Sequence, residues 1–355
     1  MYTKEEENLI VLASFEALTS RHINALYSGF EKTQPDFEKH ESFLIKSVGE
    51  GVYNKIRGNF GSPEYRVRLF NAIEARNVKC VTVFSKSYPE QLKNIYNPPA
   101  VLFCKGNINL LKDRLFAAVG SRRTLPNVLK ECTNTISGLT GSFTVVTGLA
   151  DGGDTAVIEG ALKSGRIISV LAYGFDHVYP AVNAQLLKRV EENGLVITEY
   201  VPSVPPTRYN FPARNRIIAG LSEGVLVVSA GAKSGALSTA AHAVEAGRNV
   251  FAFPYSLGVS SGEGCNALIK EGAKLVTGAK DILDEYGLEF KPKIKRELTA
   301  DEIKIYAYLK EFGAAYAQVM AEELGVPAYK IIPVLAKLEI DNFVVRLGGN
   351  KYSAL

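Results

Sequence analysis

From residue 115 to residue 276 the chain alternates short apolar runs with helical patterns, and few folds accommodate that rhythm. The runs fall at 115–119, 143–147, 167–171, 195–198, 225–229, 249–253 and 274–276. Helical spacing occupies most of the gaps, for example at 155–162, 182–192 and 236–246. This alternation predicts an α/β fold with a mostly parallel, doubly wound sheet. Ligands of such sheets bind outside the carboxyl ends of the strands. The loops at Gly120, Gly148, Gly174 and Gly231 all follow strands, so they gather on one rim.

A chain of 355 residues exceeds one ordinary domain and can bury a sizeable core. With 46% hydrophobic and 22% charged residues, it reads as a soluble globular protein, not as a disordered or membrane-spanning one. No apolar run approaches the ~18 residues of a transmembrane helix. The start, MYTKEEENL, lacks the basic residues of a secretory signal. Cys80, Cys104, Cys132 and Cys265 are widely spaced without a CxxC pair, as expected of buried thiols in a reducing cytoplasm rather than of a metal site. The net charge of +4 decides nothing about nucleic acid, so any basic surface must be local.

The expected domains are a helical (SAM-like) module at 1–77, an extended Rossmann-like domain at 78–290, a basic linker at 291–297 and a winged helix at 298–355. The first rests on the apolar spacing of Leu9, Leu12, Phe15 and Leu18. The last rests on helical patterns at 300–312, 317–324 and 329–338. Short strands at 343–346 and 351–353 follow, joined through Gly348-Gly349-Asn350. A DNA-reading winged helix carries arginine, asparagine or glutamine on its third helix. Here that helix offers only Lys330 and Lys337, and Pro333 is expected to interrupt it, so protein contact is favoured over base reading.

The stretch 211–248 carries the most chemistry. It reads FPARNRIIAGLS, then VLVVSA, then GAKSGALSTAAHAVEAGR with few intervening residues. Pro212 suits the first turn of a helix. Arg214 and Arg216 fall in or near that turn, where the helix dipole disfavours cations. Ile217, Ile218 and Leu221 mark the buried face, so the arginines point towards something else. An anion seated at the helix start reconciles them with that position. After the next strand, Gly231, Ser234 and Gly235 lead into a helix that opens with Ala236, Leu237, Ser238 and Thr239. Small residues let backbone approach a phosphate, and hydroxyls add donors. Two anion-receptive helix starts suggest a polyanion.

Gly120-Ser121-Arg122-Arg123 follows the first strand of the alternation, ahead of a helix at Pro126. Alone it reads equally as a turn glycine with solvated arginines. Sharing a rim with Arg214 and Ser234 favours a binding role. GLADGGDTA (148–156) is a second glycine-rich loop, with Asp154 as a helix cap; it does not match G-x-G-x-x-G, and its acids suit a structural role. No Walker A sequence is present. Gly258-Val-Ser260-Ser-Gly262 matches G-x-S-x-G formally, but no immediate helix is expected after it. His242 and Glu245 share a helix face without completing a metal site. Phe211 and Tyr209, beside Arg208 and Arg214, read either as core aromatics or as stacking faces for bases.

In order and spacing, GSR, VTGLADGGDTAVIEGAL, VLAYGFDHVYPAVN, ITEYVP, FPARNRIIAGLS, SGALSTAAHAVEAGR and GCNALIKEGA resemble the DNA-processing protein A family (DprA, or Smf), over roughly residues 87–283. The resemblance implies an extended Rossmann-like domain that binds single-stranded DNA, a homodimer, and loading of the RecA recombinase on incoming strands during natural transformation. It implies no catalytic residue, cofactor or metal, and no membrane partner. By that likeness the DNA site comprises Gly120, Ser121, Arg122 and the adjoining Arg123, with Arg208, Phe211, Arg214, Asn215 and Arg216. Ser234, Gly235 and Thr239 match its second phosphate-facing loop. The chain departs from the pattern at Asp151, usually basic, at Gly153, usually isoleucine, at Ile158, usually histidine, and at Tyr255, usually glycine. Two other readings compete. The strand–GAKSGALSTA–helix design is similar to nucleoside-monophosphate phosphoribohydrolases, although their PGGxGTxxE motif is absent. The chain could also be a DNA-sensing regulatory module that signals through its last domain.

Overall fold

The computed structural model describes residues 2–290, 298–341 and 343–354. The chain divides into two compact units, Met1–Lys291 and Pro292–Leu355. The basic stretch 291–297 lies outside the described residues.

The first unit opens with helices α1 (Lys4–Ala13), α2 (Ser20–Leu26), α3 (Phe37–Val48), α4 (Glu50–Gly61) and α5 (Pro63–Ala75). Strand β1 (Lys79–Thr82), the short α6 (Glu90–Lys93) and β2 (Val101–Gly106) follow. Strand and helix then alternate: β3 (Leu115–Gly120), α7 (Pro126–Leu139), β4 (Thr144–Thr147), α8 (Gly153–Leu162), β5 (Ile167–Val170) and α9 (Ala184–Asn193). The series continues with β6 (Leu195–Thr198), α10 (Asn210–Leu221), β7 (Gly224–Ser229), α11 (Gly235–Glu245), β8 (Asn249–Ala252), α12 (Glu263–Lys270), β9 (Lys274–Leu275) and α13 (Ala279–Glu285).

These strands form a nine-stranded sheet in the order β1-β2-β6-β5-β4-β3-β7-β8-β9. The β1–β2 and β2–β6 pairs are antiparallel and all the others parallel. The chain winds outward from β3 through β4, β5 and β6, then returns to the other side of β3 with β7. The order therefore reverses between β3 and β7, the switch point at which an α/β sheet opens a crevice.

Successive residues of β3 enter opposite cores: Leu115, Ala117 and Val119 face one, Phe116 and Ala118 the other. β7 divides likewise, with Val225 and Val227 against Leu226 and Val228. Both faces of the sheet are covered, which is why its central strands read as unbroken apolar runs. Ile217 and Ile218 of α10 and Ala240 of α11 close the first core; Ile136 of α7 and Val157 of α8 close the second. Leu9, Ile10 and Leu12 of α1 join the first core, below a capping box made by Thr3 and Glu6.

The second unit contains α14 (Ala300–Phe312), β10 (Ala315–Tyr316), α15 (Ala317–Glu323), α16 (Ala328–Ile340), β11 (Val344–Gly348) and β12 (Lys351–Ala354). Its three-stranded sheet runs β10-β12-β11, and Ile305, Leu309, Met320, Leu335 and Tyr352 form a core of its own. This is the element order of a winged helix. One expectation needs correcting, because α16 runs through Pro333 without a break. The missing N–H at Pro333 leaves the carbonyl of Tyr329 without its helical donor. Tyr329 lies in the first turn of α16 and is 72% exposed, so the lost bond falls at an open end of the helix.

Candidate nucleic-acid interface

At the β3–β7 switch point, the end of β3, the first turns of α10 and the start of α11 line a cavity of about 380 Å³. The loops after β3 and β4 touch backbone to backbone beside it. A Cβ on Gly153 would lie 2.4 Å from Gly120 Cα, so a side chain there would separate the two loops. Gly153 N–H donates to Ser121 O at 3.0 Å. From the other side, Ser121 N–H donates to Ser229 O and Oγ, both at 2.9 Å. The Gly-Ser-Arg turn is thus held by the end of β7 on one side and by the start of α8 on the other.

Arg214 lies in the second turn of α10, only 6% exposed, and is one of the residues lining the cavity. Its Nη1 donates to Val170 O and its Nε to Asn215 Oδ1. Asp154 faces it from the β4–α8 loop, also buried. The carboxylate is occupied elsewhere: Oδ1 accepts from Gly120 N–H and Oδ2 from Ala150 N–H, each at 3.2 Å. Burial raises the Asp154 pKa, against the pull of the nearby Arg214 charge and these hydrogen bonds. Burial lowers that of Arg214, against the charge of Asp154. A guanidinium nonetheless keeps its proton at ordinary pH. Among the described residues Arg214 Nη2 has no hydrogen-bond partner, so this arginine beside the cavity keeps donors to spare.

Further donors and ring faces surround this point. Ser234 caps α11, its Oγ accepting from Ala236 N–H at 3.3 Å, and Gly235 leaves the start of that helix open to the cavity. Asn215 ties α10 to α11 through Gly235 O and Ser238 Oγ. Arg122 is exposed, with its guanidinium 5.7 Å from the centre of the Tyr179 ring. Tyr179 and Phe211 lie 5.5 Å apart, centre to centre, along a narrow adjoining slot.

Gly120, Ser121, Arg122, Phe211, Arg214, Asn215, Ser234, Gly235 and Thr239 all line this one cavity. Arg123 is exposed beside it, its carbonyl accepting from Ser121 Oγ. Arg208 stands apart, with its guanidinium 4.7 Å over the Tyr209 ring. Arg216 requires a correction. It pairs with Glu199 at 2.7 Å, bonds Asn97 O and Ser20 Oγ, and lines a different cavity. Burial pulls its pKa down, but the charge and hydrogen bonds of Glu199 turn the net shift upward.

Two local expectations also change. Asp154 does not cap α8: Gly152, at φ +79°, holds that position, and Asp154 is turned towards the loops. A helix does start directly after Gly262, at Glu263. Among the described residues, however, no hydrogen bond joins Ser260 to a histidine, and His242 pairs with Glu245 instead. Tyr255 replaces the usual glycine by packing its ring against Gly262 and donating its hydroxyl to Val228 O. Asp151 is exposed and accepts from Gly152 N–H, off the cavity wall. Sequence reasoning missed Asp154 as part of the wall, and Tyr179 altogether. The only signal for Tyr179 was its place in VYPAVN.

Among the described residues no helix is long and apolar enough to cross a membrane. A family model described as DNA recombination-mediator protein A matches residues 79–287. Over 206 residues the chain is 44% identical to the DNA processing protein DprA of Streptococcus pneumoniae, covering 58% of this chain and 73% of that one. It is 34% identical to protein Smf of Escherichia coli over 299 residues, 78% of each chain. The X-ray structure of the S. pneumoniae protein aligns with a TM-score of 0.69 at 34% identity, across 82% of this chain and all of that one. A structure of DNA processing protein A from Helicobacter pylori, reported for its single-stranded DNA binding mode, aligns with a TM-score of 0.54 at 27% identity, across 59% of this chain and 95% of that one.

Proposed function

The chain belongs to the DNA recombination-mediator protein A family, and from that premise we propose that its switch-point cavity holds the backbone of single-stranded DNA. The observation that carries this reading is Arg214, a buried guanidinium with donors left over, set beside the open start of α11 and the Gly-Ser-Arg turn. A phosphate fits all three at once. Arg122 adds an exposed charge, and Phe211 and Tyr179 add ring faces on which an unpaired base can stack. Duplex DNA keeps its bases stacked inside, so the ring faces favour a single strand.

In this reading the protein works in the cytoplasm as a dimer, without catalysis. It protects incoming strands and passes them to the RecA recombinase during natural transformation. The test is fluorescence anisotropy with a labelled dT oligomer and a matched duplex, over a range of salt. Tighter binding to the single strand is expected. The logarithm of affinity should fall with the logarithm of salt by about 0.7 per neutralised phosphate. Equal affinity for both forms, or binding indifferent to salt, defeats the reading. A pull-down on single-stranded DNA, with and without RecA, tests the handover.

A further inference from the structure

Across α10 from the interface lies a second and larger cavity, of about 740 Å³. Its walls come from the ends of α1 and α2, the start of β2, the β6–α10 segment and α10 itself. The proposed strand site uses none of it.

Its chemistry is selective. Phe15, Leu18, Ile23, Val101, Val201 and Val204 make much of the wall apolar. Its arginine is already paired: Arg216 Nη1 and Nη2 reach the two Glu199 oxygens at 2.8 and 2.7 Å, and Ser20 Oγ adds 2.7 Å. Glu16, also on the wall, accepts from Ser203 Oγ at 2.8 Å and repels anions. A phosphate therefore has little to gain inside. An uncharged, flat group with hydrogen-bonding edges does better, since the amide of Asn210 and the amide N–H groups of Asn97, whose Oδ1 accepts from Asn24, belong to wall residues. Tyr96 and Tyr209 line the cavity while 88% and 70% exposed, so they form its rim, with Arg208 over the Tyr209 ring.

Helices α10 and α11 contribute to both cavities. Asn210 and Phe211 are successive residues of α10 and line one each; Thr239 and His242, one turn apart on α11, do the same. We infer that the second cavity takes an unstacked nucleobase from the strand whose phosphates lie in the first, with Tyr209 and Tyr96 as its stacking faces. This rests on the single-strand reading above. It also gives Arg208 a place, over the Tyr209 ring at the rim of the second cavity.

The test is fluorescence anisotropy on the full chain with three labelled probes: dT oligomers of about 4 and about 16 nucleotides and an abasic strand of the longer length. Tyr96→Ala and Tyr209→Ala should each weaken the longer oligomer about ten-fold and leave the other two probes unchanged. Both side chains are exposed, so thermal unfolding should match wild type. Ala213→Phe, which crowds the same cavity from α10, should reproduce the loss. An unchanged affinity for the longer oligomer, or an equal loss on all three probes, overturns the inference. So does saturable binding of free thymidine at these tyrosines with no effect on the oligomer, which marks a nucleoside site. If wild type binds no probe, the single-strand reading itself falls and takes this one with it.

Discussion

Arg214 and Asp154 face each other across Gly148. A Cβ on that glycine would lie 2.5 Å from Asp154 Oδ2 and 2.7 Å from Arg214 Nη1. The last residue of the β4 strand is followed, in effect, by a gap shaped to let two charged side chains approach. Gly148→Ala closes it. The variant should lose about 1–3 kcal/mol of stability, as overpacked sites do. It should also bind single strands more weakly, because Arg214 is pushed off the cavity wall. Denaturant titration alongside anisotropy checks both, and a variant with wild-type values in each removes the glycine from this role.

The two arginines of α10 should separate cleanly. Arg214→Ala and Arg122→Ala are expected to weaken single-strand binding while leaving a folded chain. Arg216→Ala leaves the largely covered Glu199 carboxylate with only Ser20 as a partner and should cost about 2–4 kcal/mol of stability. Comparing Cm from denaturant melts with affinity at a temperature where every variant is folded tells the two effects apart. A large binding loss in folded Arg216→Ala would return that residue to the interface.

Cys80, Cys104, Cys132 and Cys265 are all free and buried. Burial raises all four thiols, Cys80 and Cys265 from 9.0 to about 12. The native chain thus holds these protons more tightly than the unfolded chain. Their contribution to stability is intact below pH 9 and declines as pH rises from 9 towards 12. At pH 8 a thiol reagent should react slowly with native protein and rapidly with all four cysteines in guanidinium. Fast native labelling of any one would show that its surroundings are open.

The second unit has its own core and no arginine on α16. A chain lacking 298–355 should keep its affinity for single strands, and Lys330→Ala should bind as wild type does. A larger loss from Lys330→Ala than from Arg214→Ala would make the second unit the reader instead.

Much of the fold was legible in the residues because strand and helix periods are local properties. The expected strand at 195–198 and helix at 300–312 match β6 and α14 residue for residue. β10 escaped notice because two residues cannot display a period. Pro333 misled because a helix breaker is judged by its own backbone, whereas its cost here depends on where along the helix the lost bond falls.

The loops of the interface were legible for a similar reason. A parallel sheet sends every strand's carboxyl end to one rim, so the loops carrying Gly120, Ser234 and Arg214 had to share that rim once the alternation was recognised. The directions of individual side chains were not fixed that way. Arg214 and Arg216 are two residues apart, about 200° around a helix, and cannot share a cavity. Which of them faces the switch point, and which meets Glu199 beneath the N-terminal helices, depends on how α10 is rotated on the sheet. That rotation follows from burying Ile217 and Ile218 together with residues far away in the chain. The sequence by itself determined the sheet, the rim and the types of residue on it. The tertiary packing decided which charges were left without a partner there, because pairing is a long-range outcome of burial and not a property of any short segment.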